Sequence, residues 1–182
     1  MRCSWVDENC KIYVCYHDKE WGKPVHDDCK LFEMLILEGF QAGLSWLTVL
    51  KKRQAFREEF AGFEPQKVAQ FTEEKIKKML QNPQIIRSRQ KICSAVNNAG
   101  IFLQIQQEFG TFDKYLWHFT NGKIQKYDIF PCPVKNELSD TISKDLKKRG
   151  MKYVGSVIIY SYLQAVGVIN DHEPQCFCHT KD

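Results

Sequence analysis

The pattern of apolar and polar residues predicts a chain built almost entirely from helices. Residues 31 to 37 are apolar nearly all round, as in a buried helix. Residues 84 to 109 repeat an apolar face at helical spacing, and Gly110 follows as the end of a long amphipathic helix. Residues 46 to 60 also have helical spacing, at Trp46, Val49, Leu50, Phe56 and Phe60.

Capping signals place shorter elements between these helices. Thr72 is a predicted N-cap, because Glu73–Glu74 fill the first turn and Lys77–Lys78 come late, as the helix dipole favours. Residues 112–119 predict a short aromatic helix, and Asn121–Gly122 predicts a turn. The fold class predicted from these patterns is therefore all-α.

The stretch from 123 to 138 carries two prolines and predicts a loop without regular structure. After it, Ser139 or Asp140 is expected to cap a helix that runs to Arg149 and stops at Gly150.

Residues 153 to 160 support two interpretations. Their β-branched and aromatic side chains favour a strand, whereas the following residues continue as a helix. Gly150 and Gly155 also bracket a short turn, as in a helix-hairpin-helix, where backbone amides can approach a DNA phosphate closely. Nearby positive charge would support that contact, at Lys147, Lys148 and Lys152.

Composition and charge narrow the class of protein. The chain has 182 residues and a net charge of +4, which permits nucleic-acid binding without requiring it. No signal-peptide core and no membrane-spanning stretch is seen, so a cytoplasmic protein is expected, with a nuclear one not excluded by composition. In a reducing compartment the 8 cysteines are expected to be thiols or metal ligands.

Glu38 is the most informative single residue. It follows the apolar run directly, and a carboxylate carried into apolar surroundings needs a partner. That partner is either a salt bridge or helix cap, which would be structural, or a ligand that brings a cation or hydrogen-bond donors.

The two ends of the chain carry a candidate metal site. Two thiolates and two imidazoles make a tetrahedral zinc site, here offered by Cys3, His17, His172 and Cys176. His172 and Cys176 are four apart, so one helical turn could direct both at one ion. Four protein ligands leave no open position, so such a zinc would be structural. A crowded C-terminal set is the alternative, formed by His172, Cys176, Cys178 and His179. The other cysteines are expected to be ordinary core residues, at positions 10, 15, 29, 93 and 132.

Several of these residues belong to long motifs that resemble one family. The chain resembles the bacterial 3-methyladenine DNA glycosylase I family nearly end to end. The resemblance is carried by Trp5, 13–22, 31–34, 37–46, 50–53, 147–150 through 154–155, and 170–172.

The resemblance implies one domain over residues 1–182, with two helical lobes in the helix-hairpin-helix DNA glycosylase fold. It also implies a monofunctional enzyme that flips 3-methyladenine out of double-stranded alkylated DNA and excises it. A structural zinc that joins the two ends is implied on Cys3, His17, His172 and Cys176. A monomer without membrane attachment is expected.

The same resemblance assigns the pocket. Glu38 is the candidate catalytic residue, in the role of the carboxylate that recognises the damaged base. Tyr13, Tyr16 and Trp46 are implied as its aromatic walls, with Trp5 nearby. The alternative is that these three residues simply pack in the core, which is the expected role of Trp21 and Trp117. Residues implied to contact DNA are Gly43 and Leu44, inserted where the base leaves the helix, and Lys148, Gly150, Lys152 and Gly155 at the hairpin.

Two points stay open from the sequence. Asp171 is expected to be structural because it adjoins His172, although a catalytic role is the alternative. No lysine is required as a Schiff-base nucleophile, so no lyase activity is expected. The competing functional hypothesis is a non-enzymatic, zinc-stapled module that only binds DNA or a protein.

Overall fold

The computed structural model describes residues 1–127 and 130–179, and this part of the chain is mainly helical. The helices are α1 (Lys11–Lys19), α2 (Asp28–Gln41), α3 (Trp46–Glu59), α4 (Pro65–Val68), α5 (Glu73–Met79), α6 (Arg89–Phe109), α7 (Phe112–His118), α8 (Glu137–Lys148) and α9 (Ser156–Ala165), with a 3-10 turn at Ala61–Phe63. None of the helices in the described ranges is long and apolar enough to cross a membrane. The prediction of a mainly helical chain is confirmed.

Helix α2 lies at the centre of the core. Asp27 caps it by accepting from the Lys30 amide, and every residue from 31 to 40 is buried. It packs against α3, α6, α7 and α9. The burial agrees with its pattern, because a helix apolar on all faces must be surrounded.

Several predicted boundaries agree with the structure. Helix α3 begins at Trp46, and Thr72 caps α5 by accepting from the Lys75 amide. Helix α6 ends at Gly110 with φ +87°, and Asn121–Gly122 forms a turn with both φ positive. Trp117 is buried in the core, as expected.

The predicted start of α6 at residue 84 is wrong. The helix begins at Arg89, because the Ser88 side chain accepts from the Lys91 amide and caps it there. Ile85 is buried, but it lies in the turn before the helix and not in the helix itself. Arg89 is exposed and pairs with Glu73 at 2.7 Å, so it does not belong to the buried face.

The region around residues 123–138 also differs from expectation. Gln125–Lys126 (β1) pairs in parallel with Ile169–Asn170 (β2). The cap of α8 is Asn136, not Ser139 or Asp140. Its side chain accepts from the Ser139 amide while Ser139 Oγ accepts from the Asn136 amide, a reciprocal capping box.

The strand interpretation of residues 153 to 160 is wrong. Residues 149–155 form a turn (the interhelical turn below), and α9 begins at Ser156. Helix α9 buries Ile159, Tyr160, Tyr162 and Leu163. This packing against α2 and α8 outweighs the strand propensity of those side chains.

The remaining cysteines are less buried than expected. Cys15 is exposed on α1, which contradicts a core role. Cys10, Cys29, Cys93 and Cys132 are half-buried. All eight are free thiols in the structure.

Candidate active site

A cavity of about 430 Å³ opens beside the C-terminal half of α2. It is lined by aromatic rings, by Glu38 and by polar groups of the C-terminal segment. The lining residues are Ser4, Trp5, Tyr13, Tyr16, Trp21, Glu38, Gln41, Trp46, Phe130, Pro131, Cys132, Ser161, Gln164, Asp171 and Glu173. The volume lies within the range of small-molecule sites.

Glu38 projects from α2 into this cavity and is only 4% exposed. Among the described residues, none donates a hydrogen bond to its carboxylate or forms an ion pair with it. Burial raises the pKa of Glu38 to about 8. A buried carboxyl group without a protein partner that lines a cavity is suited to receive donors from a ligand.

Glu33, five residues earlier on the same helix, shows the contrasting arrangement. It is equally buried, but its carboxylate accepts from Arg53 Nε at 2.6 Å and from Arg57 Nε at 2.9 Å. Burial opposes its ionisation, yet the charge and hydrogen bonds of Arg53 outweigh burial and lower the pKa of Glu33. The structural salt bridge considered for Glu38 is therefore made by Glu33.

The raised pKa of Glu38 has a testable consequence for stability. The folded protein keeps a proton that the unfolded chain loses above its ordinary pKa of 4.5, so stability from this group is complete below pH 4.5 and is lost as the pH rises to about 8. The slope approaches about 1.4 kcal/mol per pH unit. Chemical unfolding across this range should show that Glu38→Gln gains stability relative to wild type as pH rises. A constant difference between the two proteins would contradict the raised pKa.

The predicted aromatic residues all line the cavity. Tyr16 is 5.5 Å from Trp46 between ring centroids, and Trp5 is 5.6 Å from Tyr13. Trp21, expected only as a core residue, is buried and also lines the cavity, with its ring 5.1 Å from Trp5. Such a ring set offers π faces to a planar ligand, most favourably to a cationic one.

The C-terminal half contributes polar groups to the cavity, of which the sequence had singled out only Asp171. Asp171 lines the cavity, and its Oδ2 accepts from Tyr160 at 2.5 Å and from Gln164 at 2.8 Å. Its Oδ1 is buried and has no hydrogen-bond partner among the described residues. Glu173 accepts from the Ser4 amide at 2.8 Å, which ties the two ends of the chain at the cavity wall. No sequence signal marks Ser4 and Glu173, because folding brings them together from opposite ends of the chain.

The loop between α2 and α3 (the rim loop, residues 42–45) connects Gln41 to Trp46, which both line the cavity. Gly43 has φ +80°, which glycine adopts readily, and Leu44 next to it is 39% exposed. Gln41 lines the cavity and donates to the Leu44 carbonyl at 2.7 Å. An exposed apolar side chain is thus held on a turn between two residues that line the cavity.

The interhelical turn lies outside the cavity lining. Gly150 has φ +98°, and Gly155 is the N-cap residue of α9. Lys148 and Lys152 are exposed at this turn. Ser143 Oγ donates to the Val154 carbonyl at 2.6 Å and fixes the turn on α8. The predicted glycines and lysines are therefore brought together on one surface.

The candidate metal ligands also converge. Donor atoms of His17, His172, Cys176 and Cys178 lie within 4.8 Å of one another. His17 Nδ1 is 2.8 Å from Asp18, and His172 Nδ1 is 2.8 Å from Asn170. Each Nδ1 therefore donates to an oxygen and leaves Nε2 of its ring as the atom that would bind a metal, and His17 Nε2 lies 3.4 Å from Cys176 Sγ. His172 Nε2 is buried without a partner in the described part of the chain, which fits this donor set to a metal.

Cys3 lies beside this group. Its backbone amide is 3.4 Å from His17 Nε2, and its thiol accepts from the Glu173 amide at 3.4 Å. Residues 172–176 contain no helix and the chain turns at residues 174–175, so the expected helical turn is wrong. A Cβ added at Gly22 would lie 2.6 Å from His172 Cε1, so glycine is needed to seat this imidazole.

The comparisons with known proteins all match methyladenine glycosylases. A family model described as methyladenine glycosylase matches residues 5–179. DNA-3-methyladenine glycosylase 1 of Escherichia coli (strain K12) is 46% identical over 98% of this chain and 96% of its own length. A crystal structure of 3-methyladenine DNA glycosylase I has a TM-score of 0.94 at 45% identity, covering 99% of this chain and 100% of that one. A variant of 3-methyladenine DNA glycosylase I solved with 3-methyladenine has a TM-score of 0.93 at 38% identity, covering 99% of this chain and 98% of that one.

Proposed function

The chain belongs to the methyladenine glycosylase family, and on that premise we propose that it is a monofunctional DNA glycosylase that hydrolyses the N-glycosidic bond of 3-methyladenine in alkylated double-stranded DNA. The observation that carries the proposal is that Glu38 is buried in an aromatic cavity without a hydrogen-bond or ion-pair partner among the described residues. Because its substrate is DNA, the protein acts in the compartment that holds DNA, the cytoplasm in bacteria. The protein is proposed to act as a monomer.

The chemistry of the damaged base fits the cavity. Methylation at N3 gives adenine a positive charge and weakens its glycosidic bond, so the base leaves without a strong general acid. The enzyme must extrude the nucleotide, hold the cationic base and admit water to the sugar. Tyr13, Tyr16 and Trp46 offer faces to a cation, with Trp5 beside them. The Glu38 carboxylate, ionised on contact with the cation, accepts hydrogen bonds from the base edge.

These roles make Glu38 a selector of the base, and they leave activation of the water unassigned. Normal adenine is neutral and a poorer leaving group, so both binding and intrinsic reactivity discriminate against it. We keep Asp171 as a structural residue, because it adjoins His172 in the chain and its carboxylate accepts hydrogen bonds from Tyr160 and Gln164.

We further propose that the His and Cys group holds a structural zinc ion. His17, His172 and Cys176 are three ligands, and Cys3 is the predicted fourth, with Cys178 as its competitor at the same centre. Zinc with four protein ligands supplies a cross-link between the chain ends and no reactive position. That cross-link would hold Ser4, Trp5 and Glu173 in the cavity wall.

Contact with the DNA backbone is assigned to the interhelical turn, as a helix-hairpin-helix. Lys148 and Lys152 are exposed there, and Gly150 and Gly155, which have no side chain, let the backbone come close to a phosphate. Gly43 and Leu44 would enter the duplex where the base leaves it, because Leu44 is exposed on the loop between the cavity residues Gln41 and Trp46.

The phosphate contact predicts a change in salt dependence. Lys148→Ala should weaken DNA binding uniformly across sequences. It should also make the negative slope of log K against log salt less steep by about 0.9. Lys67→Ala, which removes the same charge from α4, is the control and should keep the wild-type slope. A wild-type slope in Lys148→Ala would remove Lys148 from the contact.

The activity is tested by product release. Purified protein incubated with methylated duplex DNA should release free 3-methyladenine, measured by chromatography, without cutting the strand. DNA binding without release of the base would support instead the zinc-stapled binding module.

A further inference from the structure

Lys91, which the proposed function does not use, binds the end of the helix that carries Glu38. Its Nζ, on α6, donates to the Phe40 carbonyl at 2.8 Å and to the Ala42 carbonyl at 2.7 Å. The last carbonyls of a helix have no partner within it, and a cation there is favourable. The last turn of α2 contains no basic residue of its own. Lys91 therefore supplies from α6 the charge that holds this terminus and the start of the rim loop.

Two turns further along α6, Asn98 binds the interhelical turn. Its side chain donates to the Lys152 carbonyl at 2.8 Å and accepts from the Lys152 amide at 2.8 Å. Asn98 is only 4% exposed, so this pair of bonds is shielded from water. Asn97 adds a bond from Nδ2 to the Gly150 carbonyl at 3.1 Å.

The two segments held by α6 also contact each other. A Cβ added at Gly39 would lie 3.2 Å from the Cβ of Tyr153, so the interhelical turn packs onto α2 one residue from Glu38. Lys91 Nζ lies 5.8 Å from the centre of the Tyr153 ring. One face of α6 thus spans both the rim loop and the interhelical turn.

We propose that Lys91 and Asn98 are positioning residues that hold the rim loop and the interhelical turn at a fixed spacing. This inference rests on the proposed function, in which one segment takes the phosphate and the other enters the duplex. When this spacing is fixed, a phosphate bound at the interhelical turn places one defined nucleotide beside Leu44, and that same nucleotide faces the cavity. Lys91 then acts through backbone carbonyls and touches neither base nor phosphate.

The two residues are expected to have separable effects. Lys91→Met should lower kcat for excision at least about tenfold, because two charge-assisted hydrogen bonds are lost. The affinity for free 3-methyladenine and the salt slope of DNA binding should stay at wild-type values. Lys91→Arg, which keeps donors for both carbonyls, should recover most of kcat. Asn98→Ala should mainly raise KM, because it loosens the segment assigned to the phosphate.

Lys52→Met is the matched control. Lys52 Nζ donates to the Pro83 carbonyl at 2.8 Å, so the variant also removes one charge and a lysine–carbonyl bond, away from the rim loop. Its kcat and KM should equal those of wild type. An unchanged kcat in Lys91→Met would overturn the proposal. A salt slope lowered by about 0.9 in that variant would also overturn it, because Lys91 would then be a phosphate contact.

Hydrogen exchange tests the same proposal without any activity. In Lys91→Met the amides of residues 43–45 should exchange faster than in wild type, and in Asn98→Ala those of residues 150–153 should do so. Unchanged exchange in both variants would overturn the positioning role. If wild type releases no 3-methyladenine, the proposed function fails, while the exchange result still decides whether α6 holds the two segments.

Discussion

Glu38→Gln is expected to lower excision of 3-methyladenine by about 10- to 100-fold while the fold stays intact, because a hydrogen bond to a charged group contributes about 1.5–3 kcal/mol. The amide keeps one acceptor and nearly the same shape, so the aromatic walls stay in place. The loss should appear both in kcat/KM for methylated duplex and in the affinity for the free base. Binding to undamaged duplex should be unchanged, since Glu38 is buried and the DNA contacts are assigned elsewhere.

Glu33→Gln is the matched control on the same helix. It leaves Arg53 buried beside a neutral amide, although Glu20 still pairs with Arg53 at 2.9 Å. Stability should fall by about 3 kcal/mol or less, while the folded protein should excise the base at nearly the wild-type rate. Full activity in Glu38→Gln, or equal losses of activity in both variants, would remove the recognition role from Glu38.

Cys176→Ala is expected to have the largest effect on stability. With free zinc at 1,000 times its Kd, a bound ion stabilises the folded state by about 4 kcal/mol. For a chain of this size that corresponds to a fall in Tm of about 8–16 °C. Chelation of wild type should give the same fall, and chelation of Cys176→Ala should add nothing.

The matched control for the metal site is Cys15→Ala, which removes an exposed thiol from α1. It should leave metal content and Tm unchanged. Separate Cys3→Ala and Cys178→Ala variants identify the fourth ligand, because only the variant that lacks it should lose zinc. Wild-type metal content in Cys176→Ala would contradict the proposed site.

The sequence predicted the parts of the fold that depend on local patterns. The buried α2 follows from an apolar run, and the start of α5 follows from Thr72 and the charges after it. The strand propensity of residues 156–160 misled because packing on α2 and α8 decided the outcome. Asn136 was missed as a cap because the preceding prolines concealed the start of α8.

Within the cavity, the sequence pattern pointed to a residue only where its polarity differs from that of its neighbours in the chain. Glu38 stands out as a carboxylate at the end of an apolar run, and its contrast with Glu33 emerges only from the positions of Arg53 and Arg57. Lys91 carries no such signal, and Asp171 stood out in the sequence only as the neighbour of His172, because the roles of both depend on partners on other elements. The resemblance of the motifs supplied the aromatic walls, which spacing alone left open as core residues.

A crystal structure of the protein with 3-methyladenine bound would show directly whether Glu38 recognises the base. We predict that the base lies inside the cavity, stacked on Tyr16 or Trp46, with a Glu38 oxygen about 2.7–3.0 Å from a nitrogen of the base. The contradictory result is a bound base outside the cavity, or one inside it that makes no hydrogen bond to Glu38.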